Sequence, residues 1–95
     1  MKIIAIIKFQ GLRKESGAWR PMSGIRPHLK VKDKLTSCTI SGDKDDQIFE
    51  PDIEYTVRLE LLFSRYNDEM YVGRPVQLSQ GSRVLAVGTI VEINR

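Results

Sequence analysis

Between Ile53 and Phe63, apolar side chains recur at every second position (Ile53, Tyr55, Val57, Leu59, Leu61 and Phe63), with Glu54, Thr56, Arg58 and Glu60 between them. A period of two places these sets on opposite faces of an extended chain, so the stretch reads as a strand with one buried and one wet face. Its length predicts a strand that bends round a curved sheet. Lys2 to Phe9 is a second strand, rich in isoleucine and apolar on both faces. Such a run is covered on both sides or lies at a contact between chains or domains. Pro27 keeps Arg26 extended, and His28, Lys30 and Lys32 then alternate with Leu29 and Val31 to give an amphipathic strand with a basic outer face. Thr36 to Ile40 forms another, stopped by Ser41-Gly42-Asp43, and Pro75 to Leu78 and Arg83 to Ile93 form a hairpin around Gln80-Gly81-Ser82.

The connections are equally legible. Residues 10–24 hold three glycines and a proline with little periodicity, which predicts a long loop, either functional or partly mobile. Arg65 to Gly73 reads as a polar loop anchored by Tyr66, Met70 and Tyr71. Six strands without a helical stretch, in 95 residues, predict an all-β fold with one domain spanning 1–95. Closure into a barrel removes the edges an open sheet would expose, and Gly88 is placed to allow a sharp bend at a barrel corner.

Charge is unevenly spread. The net +3 divides into +7 over residues 1–40, −6 over 41–72 and +2 over the remainder. Two arrangements follow: a dipolar surface that attracts polyanions at one side, or oppositely charged segments that pack as neighbours and cancel. One cysteine cannot form an internal disulfide, the N-terminal apolar run is too short for a signal peptide, and no run reaches the ~20 residues of a membrane span. A cytoplasmic protein without a membrane partner is expected.

The residues offer little for catalysis. Ser41-Gly42-Asp43-Lys44 lacks the second glycine and the hydroxyl of a phosphate-binding loop, so no nucleotide is expected. A single Cys and a single His do not make a zinc set, Asp43, Asp45 and Asp46 lack calcium-loop spacing, and neither metal nor cofactor is predicted. Cys38 and His28, on neighbouring strands, are the one conceivable nucleophile and base, without a visible oxyanion hole or orienting partner. Binding is better supported. Arg20, Arg26, Lys30 and Lys32, interleaved with Trp19 and His28, combine charge for phosphates with planar groups that stack on bases. Strand lysines also serve to keep edges from aggregating, and a tryptophan can cap a barrel end.

In order along the chain, Pro21-Met22-Ser23-Gly24-Ile25-Arg26-Pro27-His28-Leu29, Leu35-Thr36-Ser37-Cys38-Thr39-Ile40, Phe49-Glu50-Pro51-Asp52, Val57-Arg58-Leu59-Glu60-Leu61 and Leu78-Ser79-Gln80-Gly81-Ser82-Arg83-Val84-Leu85-Ala86-Val87-Gly88-Thr89-Ile90 resemble the C-terminal barrel domain of bacterial elongation factor Tu. The resemblance implies a six-stranded antiparallel Greek-key barrel. It also implies contact with a tRNA-like backbone near His28, Ser37 and Gly81, which fall where the family has a glutamine, a threonine and the hairpin glycine. Phe63 stands where the family has a lysine, and Gly17 and Ala18 lie where it has an arginine and a histidine. The family's GTPase domain and middle barrel have no counterpart in these residues. The expectation is therefore a stand-alone, non-catalytic barrel that binds RNA. The competing expectation is a protein-binding adaptor or immunity module that mimics an elongation factor surface, with Ile4, Ile6, Tyr66 and Tyr71 at the interface and the acidic 43–69 region contributing.

Overall fold

The computed structural model describes residues 2–10 and 21–94. Six strands, β1 (Lys2–Phe9), β2 (His28–Val31), β3 (Lys34–Ser41), β4 (Glu54–Leu61), β5 (Pro75–Gln80) and β6 (Arg83–Asn94), pair in the order β1-β4-β3-β2-β5-β6 and close into a barrel. Every pairing is antiparallel. Strands β2 to β4 follow one another around the wall, and β1 reaches its place beside β4 from across a long connection, which is the Greek-key pattern.

Alternation along each strand fills the interior. Ile3, Ala5, Ile7 and Phe9 of β1 meet Leu29, Val31, Cys38, Ile40, Val57, Leu59, Val76, Leu78, Leu85, Ala86 and Ile90 in one core. Two residues outside the strands plug its ends. Phe49 stacks on Phe9 at 4.7 Å, with Tyr55 edge-on to both rings at 5.1 and 6.4 Å. Met70, fully buried, follows a short 3₁₀ segment, Ser64–Glu69, beyond the C-terminal end of β4. This segment occupies most of the stretch expected to be a plain polar loop. No helix among the described residues is long and apolar enough to cross a membrane.

The alternation from 53 to 63 overreaches at both ends. Ile53 is 50% and Phe63 48% exposed, and the strand runs only from Glu54 to Leu61. Asp52 turns the chain with φ 65° just before the strand, and the 3₁₀ segment turns it just after, so both outer residues leave the sheet's plane. Gly88 is held to a close backbone contact. It lies within the β1–β6 ladder opposite Ile7, where an added Cβ would strike the Ile6 carbonyl oxygen and come within 2.7 Å of the Ile7 Cα. Its role is close strand approach. The even face of β1 points outward, with Ile4 half-buried and Ile6 36% exposed.

Candidate nucleic-acid interface on the outer face

The basic strand is longer than its ladder with β5. Cys38 N–H donates to the Pro27 carbonyl and Ile40 N–H to the Ile25 carbonyl, both at 3.0 Å, so pairing with β3 continues back to Ile25. Through this length alternation turns Ile25, Pro27, Leu29 and Val31 inward and leaves Arg26, His28, Lys30 and Lys32 exposed. Four nitrogen-bearing side chains thus share one file. Lys32 ends it in the two-residue turn to β3, where φ is 58°.

The neighbours divide this file into two parts. His28 lies opposite Ser37 on β3 and Ser79 on β5, and Gly81 is two residues beyond Ser79 in the β5–β6 turn. The three positions implied by the elongation factor resemblance therefore come to one region of the wall. Gly81 has φ 63°, and a Cβ added there would meet nothing within 4 Å, so the turn needs glycine for its backbone and leaves its outer side open. Lower on the file, Lys30, Lys32 and Arg74 line a groove of about 380 Å³ with Pro75, Gln77 and Val87. Arg74 is held across the seam between β2 and β5: its Nη2 donates to the Lys30 carbonyl at 3.2 Å and its Nη1 to the Pro75 carbonyl at 3.0 Å. Fixing the guanidinium in advance lowers the entropy lost when it meets an anion.

Arg26 faces a different environment. It lines a separate cavity with Ser37, Cys38, Thr39, Leu61 and Glu60, an acid on the far side of β3. Lys32 has an acidic neighbour, its Nζ 3.4 Å from Glu69 Oε1, in a pair exposed enough to be readily exchanged for a phosphate contact. Arg20 and Trp19 lie outside the described residues.

The predicted protein-contact residues come from β1, from the 3₁₀ segment and from the turn after it. Ile4 and Ile6 share the outer face of β1, whereas Tyr66 packs against the core from the 3₁₀ segment and carries the Arg65 guanidinium 5.0 Å from its ring centroid. Arg65 also lies 5.2 Å from the Phe63 ring, and Tyr71 is 58% exposed.

Cys38 and His28 are not brought together. His28 pairs with Ser37, so it points outward while Cys38 points into the core at 2% exposure. Burial pushes the Cys38 thiol up to about 12, which keeps it protonated at neutral pH and without nucleophilic thiolate.

Sequence reading missed Arg74 and the Arg65 clamp. A basic residue just before a strand carries no local sign that the strand will pair with β2; only the order of strands around the barrel reveals it. The acidic and basic segments prove to be partly separated: β4, with Glu54 and Glu60 outward, is divided from β2 by β3. No protein-family model matches the chain, and no curated protein matches it.

Proposed function

We propose that this barrel is a non-catalytic binding module that takes an RNA backbone along the outer face of β2, a counterpart of the C-terminal barrel of elongation factor Tu. The observation that carries this reading is the file Arg26, His28, Lys30 and Lys32, flanked by an Arg74 guanidinium already fixed over the β2–β5 seam. Lysines and arginine supply phosphate contacts, while His28 and the open Gly81 turn allow close approach of a ribose or base.

Titration of the protein with tRNA tests the reading. Binding that weakens steeply with salt, and that falls about tenfold or more in a Lys30→Glu, Arg74→Ala double variant, supports it. Salt-independent affinity overturns it, and equal affinity for unrelated duplex DNA reduces it to nonspecific charge attraction.

A second reading, an adaptor or immunity module facing a protein, is favoured by the Arg65 guanidinium set over both Phe63 and Tyr66 beside the exposed Leu35. Aromatic and arginine side chains of this kind form the energetic centres of protein interfaces. Affinity purification that recovers a single protein, lost on Phe63→Ala and Arg65→Ala, favours it over RNA binding.

A further inference from the structure

The basic groove has a neighbour of different chemistry. Lys30 pairs with Leu35 across the β2–β3 ladder and both are exposed, so the wall beside the lysines turns apolar within one strand spacing. Leu35 belongs to a cavity of about 660 Å³ that it lines with Lys34, Arg65, Tyr66 and Glu69. Lys32 lines the groove and Glu69 the cavity, and their ion pair of 3.4 Å joins the two. A polyanion drawn to the groove therefore arrives at the edge of a second pocket, of a size that takes small organic groups.

The lining of that pocket matches a nucleobase on its faces and on its edge. Leu35 and Tyr66 offer apolar surface to a flat ring, and the Arg65 guanidinium, 5.0 Å from the Tyr66 ring centroid, is a planar cation of the kind on which bases stack. Both signs of charge are present, because Glu69 shares the pocket with Lys34 and Arg65. An acidic peptide meets Glu69 as repulsion, whereas a nucleotide brings an anionic phosphate and N–H donors together. Guanine alone among the RNA bases carries adjacent donors, N1–H and the N2 amino group, on its Watson–Crick edge. Two parallel bonds of this kind suit the two oxygens of a carboxylate. In a duplex that edge is covered, so the base must be unpaired.

The ion pair links the two halves of such a ligand. Lys32, with 75% of its side chain exposed, can swing from Glu69 to a phosphate, and the carboxylate it leaves then accepts from the base. Each charge exchanges one partner for another and neither is left alone. We propose that the cavity of Lys34, Leu35, Arg65, Tyr66 and Glu69 takes one unpaired guanine of an RNA strand, with Glu69 selecting the base and Lys32 on the adjoining phosphate. The proposal rests on the RNA reading of the basic groove and adds a base preference to it.

Fluorescence anisotropy of the full chain with short labelled RNAs, all uridine or with a single guanosine or inosine at the centre, tests the proposal. The expected result is about tenfold tighter binding of the guanosine RNA than of the all-uridine RNA. Inosine, which lacks the N2 amino group, loses most of that gain. Glu69→Gln tightens binding of the all-uridine RNA at low salt but removes most of the preference for guanosine, while Glu54→Gln, which alters an acid outside the cavity, keeps it. Equal affinity for the guanosine and all-uridine RNAs, with steep salt dependence intact, overturns the proposal and leaves the backbone reading standing. A guanosine preference that survives Glu69→Gln, or that extends undiminished to inosine, overturns it as well. If neither RNA binds, the reading of the groove fails and the base preference fails with it.

Discussion

At Gly88 a single methyl group decides whether β1 and β6 can close the barrel. The obstacle to an added Cβ is backbone, the Ile6 carbonyl and the Ile7 Cα, with the Ile7 Cγ2 also within 2.8 Å. Backbone cannot swing aside as a long side chain can, so Gly88→Ala is expected to cost about 3 kcal/mol, read as a lower midpoint in urea unfolding. At Gly42 the obstacle is the end of the Gln47 side chain, and alanine there is expected to cost far less. Cys38 gives a second residue-scale prediction, in pH. In the unfolded chain the thiol loses its proton near its ordinary value of 9.0, whereas in the folded chain burial holds the proton up to about 12. The folded state therefore binds more protons across that window, and stability, complete below pH 9, falls as pH rises through it. The loss approaches about 1.4 kcal/mol per pH unit within the window. Unfolding measured at about pH 8 and about pH 10.5 should show a decline of about 2 kcal/mol in the wild type that is missing from Cys38→Val. Equal declines in the two proteins would show that other groups account for the alkaline sensitivity.

Among the elements, the long connection from Ser41 to Glu54 depends on one ring. Phe49 N–H donates to the Pro21 carbonyl at 2.9 Å, Ser23 N–H to the Gln47 carbonyl at 2.8 Å, and Glu50 N–H to the Tyr55 hydroxyl at 2.8 Å, so the connection is stitched to the 21–25 segment and to β4 around the buried Phe49. Phe49→Ala removes both the stacking on Phe9 and the fill of the barrel end. A loss of about 4 kcal/mol is expected, with faster amide exchange concentrated in residues 42–52. Uniformly faster exchange would mean that the ring supports the whole barrel and not this connection in particular. The strands themselves were legible in sequence because a period of two and glycine turns are local signals, and Val57 and Leu59 are buried as their spacing requires. Ile53 and Phe63 were misplaced because the turn at Asp52 and the 3₁₀ segment after Phe63 override alternation at its margins. The candidate site divides in the same way. The file from Arg26 to Lys32 can be read from alternation alone, but the Arg74 clamp and the cavity that Arg26 shares with Glu60 arise from strand pairs distant in sequence.

For the molecule as a whole, strand order converts an uneven sequence into an uneven field. The basic file on β2 is separated from Glu54 of β4 by β3, although Arg26 and Glu60 line one cavity across that strand, and the acidic turn with Asp43, Asp45 and Asp46 lies at the surface. Cancellation is partial: Lys8 of β1 sits opposite Glu54, and Lys32 is paired with Glu69. A polyanion therefore meets attraction from one side, and the groove of Lys30, Lys32 and Arg74 brings three cations together on that side. Three phosphate contacts predict a slope of about −2 for log affinity against log salt with single-stranded RNA. Lys30→Gln should make the slope shallower by about 0.7. Glu69→Gln should strengthen binding at low salt, because Lys32 no longer has to leave a carboxylate to reach a phosphate. Glu54→Gln, on another part of the wall, should leave the slope unchanged and raise only the association rate, through the general field. Stopped-flow and equilibrium titrations over a range of salt separate these outcomes. If Glu54→Gln altered the slope as much as Lys30→Gln, the anion would be reading the net charge of the barrel, and the groove would have no special part in holding it.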